Sequence, residues 1–140
     1  MRASELLIVL SLAAPVTSPA DRIFVVRGPT IVAFFPPANQ KQVEGGSDFG
    51  EALSDFHFYA SRVREPLTKA GVDFHVVSAA AFRVRVGRVH EVFRPTDPKI
   101  GYYLVAPGKQ ARIQYGVATD SDLLQSAREY FGLAIENGAR

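Results

Sequence analysis

Apolar residues fill Thr30-Ile31-Val32-Ala33-Phe34-Phe35 almost without interruption, and Pro36-Pro37 ends the run. So short a run, with β-branched residues at its start, predicts a strand buried on both faces rather than a helix. Such a strand needs cover on both sides. Two segments, Asp48–Ala70 and Ser121–Leu133, are the helices expected to supply it. In the first, Phe49, Leu53, Phe56, Ala60, Val63 and Leu67 recur at spacings of 4, 3, 4, 3 and 4, which draws one apolar stripe along a 3.6-residue period. Ser47 or Asp48 stands where a cap belongs, with Glu51 three residues after Asp48, and Gly71 stands where a helix end favours a left-handed residue. Pro66 falls inside the stripe and predicts a kink, or a separate last turn near Arg64.

Shorter periods mark the strands. Arg22-Ile23-Phe24-Val25-Val26-Arg27 reads as a short strand that Gly28-Pro29 breaks. Val72–Val77 follows the long helix, so Thr30–Phe35 and Val72–Val77 are expected to run parallel, joined by a crossover. Phe82–Val86 and Val89–Phe93 flank Gly87-Arg88, a Gly-first pair that suits a type II′ hairpin turn. That register sets Val86 opposite Val89 and Phe82 opposite Phe93. It also sets Glu91 among apolar residues opposite Val84, which calls for a rim position or a bulge. A second hairpin, Tyr102–Val105 with Ala111–Tyr115, turns at Pro107-Gly108-Lys109 and ends at Gly116. Thr119 or Asp120 then caps the final helix, with Leu123, Leu124, Ala127, Tyr130 and Phe131 facing inward. Glu136–Arg140 reads as a frayed tail.

Composition narrows the chemistry. The chain has 140 residues, one domain's worth, and 47% of them are hydrophobic against 21% charged, as in ordinary folded proteins. The net charge of +2 is too small to imply nucleic acid by itself. There is no cysteine, so thiol nucleophiles, disulfides, thiolate zinc sites and iron–sulfur ligation by this chain are excluded. Met1–Ala20 has the layout of a secretory signal peptide: Arg2, the short apolar run Leu6–Ala14, then Pro15 and the small residues Ser18-Pro19-Ala20. The run is too short to span a bilayer. Glu5 departs from the pattern, and the competing reading is an amphipathic N-terminal helix. The first reading leaves 21–140 as a single exported domain, periplasmic or secreted, with no membrane anchor once the leader is removed.

The order buried strand, long helix, parallel strand, intervening segment, antiparallel hairpin, final helix resembles the thioredoxin fold. Tyr102–Val105, Pro107-Gly108-Lys109, the strand to Tyr115, Gly116 and Ser121–Phe131 resemble that family's last hairpin and last helix. Thr30–Phe35 resembles the strand leading to its redox loop. The resemblance covers about Ile23–Leu133. It implies an α/β fold, a thioredoxin-like three-layer domain with a mixed central sheet, an extra β-hairpin and a C-terminal helix. Where the family places Cys-x-x-Cys, this chain has Pro36-Pro37-Ala38-Asn39-Gln40-Lys41, and where the family has a cis-proline it has Ile100-Gly101. Disulfide exchange needs a thiolate and does not carry over.

Few residues suggest a site. His57, His75 and His90 lie far apart, with no metal-ligand spacing, and no Gly-x-Ser-x-Gly turn is present. Neither catalytic nor cofactor residues can be named. Gly45-Gly46-Ser47-Asp48 leads into a helix, where capping is the ordinary role and anion binding the alternative. Two groups stand out. Arg83, Arg85, Arg88, His90 and Arg94 fall on the first hairpin, and alternation puts Arg83, Arg85, His90 and Arg94 on one face, either a surface for an anionic partner or a solvated edge kept from sticking to others. Asn39, Gln40 and Ser47 belong to a loop just past the carboxyl end of the central strand, where open α/β sheets place ligands. No aromatics interleave with the arginines on that face, so stacked nucleic acid is not expected. The reading is a non-redox binding or accessory module for a protein partner. The alternatives are an enzyme with a non-thiol site in Pro36–Gly46 and a structural subunit active as an oligomer.

Overall fold

The computed structural model describes residues 22–37, 47–95 and 99–137, with the side chain of Ser47 excepted. The expected signal peptide, Met1–Ala20, lies outside the described residues, as do Asn39 and Gln40. Among the described residues, seven strands and two helices follow in order: β1 Ile23–Val26, β2 Thr30–Phe35, α1 Ser47–Lys69, β3 Asp73–Ser78, β4 Phe82–Val86, β5 Val89–Phe93, β6 Gly101–Val105, β7 Arg112–Tyr115 and α2 Asp120–Phe131.

The apolar run of β2 is interior in both senses. It pairs in parallel with β3, Thr30 beside Asp73 through Phe35 beside Ser78, and antiparallel with β6, Thr30 beside Val105 through Phe34 beside Gly101. The strands β3-β2-β6-β7 make a mixed four-stranded sheet, and β1-β4-β5 make a separate three-stranded one. Strand alternation divides the β2 side chains between two cores. Ile31 and Ala33 meet Phe56, Val63 and Leu67 of α1 and Leu123, Leu124 and Ala127 of α2. Val32 and Phe34 meet Phe24, Val26, Phe82 and Val84 of the smaller sheet. Each fully buried Val, Leu or Phe contributes about 1.5–3 kcal/mol over its exposed state.

The expectation of one helix on each face is therefore corrected. Both helices share a face and lean together, with Arg62 Nε of α1 donating to Asp120 Oδ2 at the start of α2 over 2.9 Å. The second face is covered by strands, because Phe82 and Val84 of β4 alternate inward and β1 lies parallel to β4, with Phe24 beside Val84. The layers run helices, four-stranded sheet, three-stranded sheet.

The ends of α1 and α2 follow local chemistry. Thr119 caps α2, its hydroxyl accepting from the Asp122 N–H at 3.2 Å. Gly71, at φ 85°, closes α1 with paired bonds from Val72 N–H to the Leu67 carbonyl and from Gly71 N–H to the Thr68 carbonyl. The separate last turn that Pro66 allowed is absent: α1 is one unbroken element through Lys69. Pro66 is buried on the core side, and its carbonyl accepts from Ala70 N–H at 3.1 Å, so the final turn continues past it. Of the tail read as frayed, only Glu136 and Asn137 are described, and Asn137 is tied back to α2. Ile135 is buried, and Arg128 donates to the Ile135 carbonyl at 2.6 Å and to Asn137 Oδ1 at 2.8 Å.

Candidate functional site

The β4–β5 hairpin turns as its sequence implies. Gly87 has φ 63° and, among the described residues, no non-glycine has positive φ, which suits a Gly-first turn with an ordinary second residue. The register is Phe82–Phe93, Arg83–Val92, Val84–Glu91, Arg85–His90 and Val86–Val89. Residues opposite one another share a face, so Arg83, Arg85, His90 and Val92 point away from the core. Strand β1 extends that outer face, setting Ile23 beside Arg83 and Val25 beside Arg85. Arg88 is exposed in the turn, and Arg94 is exposed just after β5. The structure thus gathers the four hairpin arginines and His90 on and around one sheet.

Among the described residues, Arg83, Arg85, Arg88 and Arg94 make no ion pair. Arg85 is half-buried and its Nε is shielded from water without a hydrogen-bond acceptor. A shielded guanidinium N–H without an acceptor forgoes a charge-assisted bond. The cations are interspersed with aliphatic side chains, Ile23 and Val92 among them, that also meet solvent.

Glu91 needs no bulge. It occupies the rim on the inner side of β5, beside the Tyr103 hydroxyl. Burial first, and then the Glu91 carboxylate, push Tyr103 up to about 12, because a phenolate there would lose solvation and face a negative charge. The apolar side of the hairpin is less enclosed than alternation suggests. Phe82 and Val84 are buried, Val86 and Phe93 are half-buried, and Val89 is exposed. Residues on β5 lie at a sheet edge and run past the cover beneath them.

The other candidates do not converge. Asn39 and Gln40 lie outside the described residues, and Ser47 is the first residue of α1. His57 packs its ring against Phe35 and Phe56 at 5.1 and 5.3 Å. His75 packs against Phe24 at 5.0 Å and is held below its ordinary value of 6.5, chiefly by burial, with Arg22 and Arg64 acting the same way and Asp73 opposing. Among the described residues no three His, Asp or Glu side chains form a group able to hold a metal, and no helix is long and apolar enough to cross a membrane.

One feature escapes the sequence. The inter-sheet space stays open between β5 and β7, leaving a groove of about 470 Å³ lined by Val86, Val89, Phe93, Tyr103, Val105 and Ile113. Alternation marks those residues as apolar but carries no information on which strand ends up over which. Comparison with models of protein families, with curated proteins and with solved structures returns no match.

Proposed function

We propose that this chain is a small, exported, non-redox binding module of thioredoxin-like architecture, acting by surface contact on a protein partner that presents carboxylates. The observation that carries the reading is the outer face of the three-stranded sheet: Arg83, Arg85 and His90 with Arg88 and Arg94 alongside, unpaired among the described residues and interspersed with exposed aliphatics. Clustered cations of one sign steer an anionic partner toward the face, and desolvated aliphatic contacts then hold it. Supporting the architectural part are the strand order β3-β2-β6-β7, parallel then antiparallel, and the two helices on one face. The three-stranded sheet stands where that fold has an intervening helix. With no cysteine in the chain, the frame is left to present surface. The layout of Met1–Ala20 supports export.

Retention on immobilised poly-L-glutamate at rising salt tests this, with the triple variant Arg83→Ser, Arg85→Ser, Arg94→Ser beside the parent. The parent should be retained at low salt and released well below 0.5 M, since exposed pairs are screened over a Debye length of about 4 Å at that strength. The variant should elute early and melt close to the parent, because exposed charges contribute about 0–1 kcal/mol each and half-buried Arg85 makes no ion pair among the described residues. Equal retention of the two proteins would sink the proposal.

A further inference from the structure

The two sheets stack strand over strand, and the stacking is one strand short. Phe24 of β1 lies against His75 of β3 at 5.0 Å, Phe82 of β4 against Phe34 of β2 at 5.9 Å, and Phe93 of β5 against Tyr103 of β6 at 4.9 Å. Among the described residues, no strand of the smaller sheet lies over β7. Ile113 and Tyr115 share a face with Tyr103 and Gly101 through the β6–β7 register, and they are left 38% and 40% exposed. Val89, on the inner side of β5, is 58% exposed across the same gap. A fourth strand laid along β5 at the usual spacing of about 4.8 Å would come to rest above β7 and close the groove.

The edge of β5 is equipped for that. Val86 and Val89 close a two-residue turn, so they form a hydrogen-bonded pair, and the alternation makes Val84–Glu91 and Phe82–Phe93 the next such pairs. The N–H and C=O groups of His90 and Val92 therefore turn away from β4, toward the open edge. An incoming strand would put every second side chain into the apolar groove. The rest would stand on the outer side near Arg85, Arg88 and Arg94, and among the residues lining the groove Glu91 is the one carboxylate and Lys109 the one cation.

We infer that β5 and β7 form a docking groove for an extended segment of a partner protein in which apolar and acidic residues alternate, added to the three-stranded sheet as a fourth strand. This rests on the binding-module reading and specifies its mode. Charge selects the occupant. A second copy paired antiparallel in full overlap along β5 would set Glu91 against its own symmetry mate and Arg88 against Arg94 at both ends, so like charges meet at the centre and at both ends.

The probe is a fluorescein-labelled eight-residue peptide alternating glutamate with valine, read by anisotropy against the full chain. Controls are a peptide of equal composition with the glutamates blocked together, and one alternating lysine with valine. The alternating acidic peptide should bind at least tenfold tighter than either control. Val92→Pro, which deletes an edge N–H that no intramolecular ladder bond uses, should weaken binding at least tenfold, while Val92→Thr should change it less than threefold. In the parent, the His90 and Val92 amides should exchange more slowly with peptide present, a readout that stands even if the proline variant fails to fold. Equal binding of alternating and blocked peptides, or unprotected His90 and Val92 amides, would overturn strand addition. If such binding still vanishes on removing Arg83, Arg85 and Arg94, the module reading survives without it. If it does not, both fail. Amides already protected in peptide-free protein, through a dimer seen by sedimentation or through residues 1–20 as shown by their deletion, would also overturn the inference.

Discussion

Gly101 is held to glycine by space alone, and replacing it with alanine measures how tightly the inter-sheet core is locked. A Cβ at this position would sit 2.7 Å from Phe34 Cζ, 3.2 Å from Phe34 Cε1 and 2.9 Å from the Gln114 carbonyl oxygen. The carbonyl is backbone of β7 and cannot swing aside without shifting the β6–β7 pair. The Phe34 ring is fully buried, with Phe93 at 5.3 Å, Phe82 at 5.9 Å and Tyr115 at 6.1 Å from it, so it has little room to retreat. Overpacking of this kind costs about 1–3 kcal/mol. Against that, losing a glycine stiffens the unfolded chain and returns about 0.4–1 kcal/mol. The net expectation for Gly101→Ala is a loss of about 1–2 kcal/mol, or roughly 4–10 °C in Tm for a domain of this length. Urea unfolding in a double-mutant cycle with Phe34→Leu, which removes the crowding Cζ, locates the cause. The cost of the alanine should fall by about 1 kcal/mol in the leucine background, the clash with Gln114 remaining. A Gly101→Ala protein as stable as the parent, or an alanine cost indifferent to residue 34, would refute the steric account.

Two further outcomes follow from named groups. His75 is held neutral by burial, so its folded pKa lies below the unfolded value of 6.5. The unfolded state then takes up a proton first as pH falls through that value, and stability present above it declines until the folded His75 also protonates. His75→Phe should flatten the urea midpoint between pH 7 and 5, and an unchanged slope would show that His75 does not carry it. Arg128→Ala removes the two bonds that hold the C-terminal segment and should speed amide exchange or proteolysis near Ile135 while costing about 1–2 kcal/mol. A segment as protected as in the parent would mean that Ile135 is held by packing alone.

Much of this architecture is legible in the chain, and what escapes does so for physical reasons. Periodicity identifies the long helix and its stripe, because every third or fourth residue must be apolar to bury one face. Gly87 fixes the hairpin turn and with it the register, and so the arginine face was readable from residue parity. The uniform apolarity of β2 announces burial on both faces but is silent on what does the burying. Four apolar residues in Ile23–Val26 fit any sheet equally well, so the partnership of β1 with β4 rests on tertiary fit. Glu91 looked misplaced by pattern, since nothing local reveals that a tyrosine hydroxyl from β6 lies beside it. The groove was invisible because it arises from the offset of two sheets. The Asn39, Gln40 and Ser47 loop remains a reading of sequence alone.

The central position of β2 also has a consequence in time. Its two neighbours are made late: β3 begins about forty residues after β2, and β6 ends about seventy residues after it. At translation rates of about 5–20 residues per second, the antiparallel neighbour arrives roughly 4–14 s after β2 itself. Neither of its neighbour strands is local, and such distant pairings place this chain among slower folders. Through that interval a strand of five apolar side chains waits with one edge unpaired, so nascent chains have an aggregation-prone window that closes only when Gly101–Val105 docks.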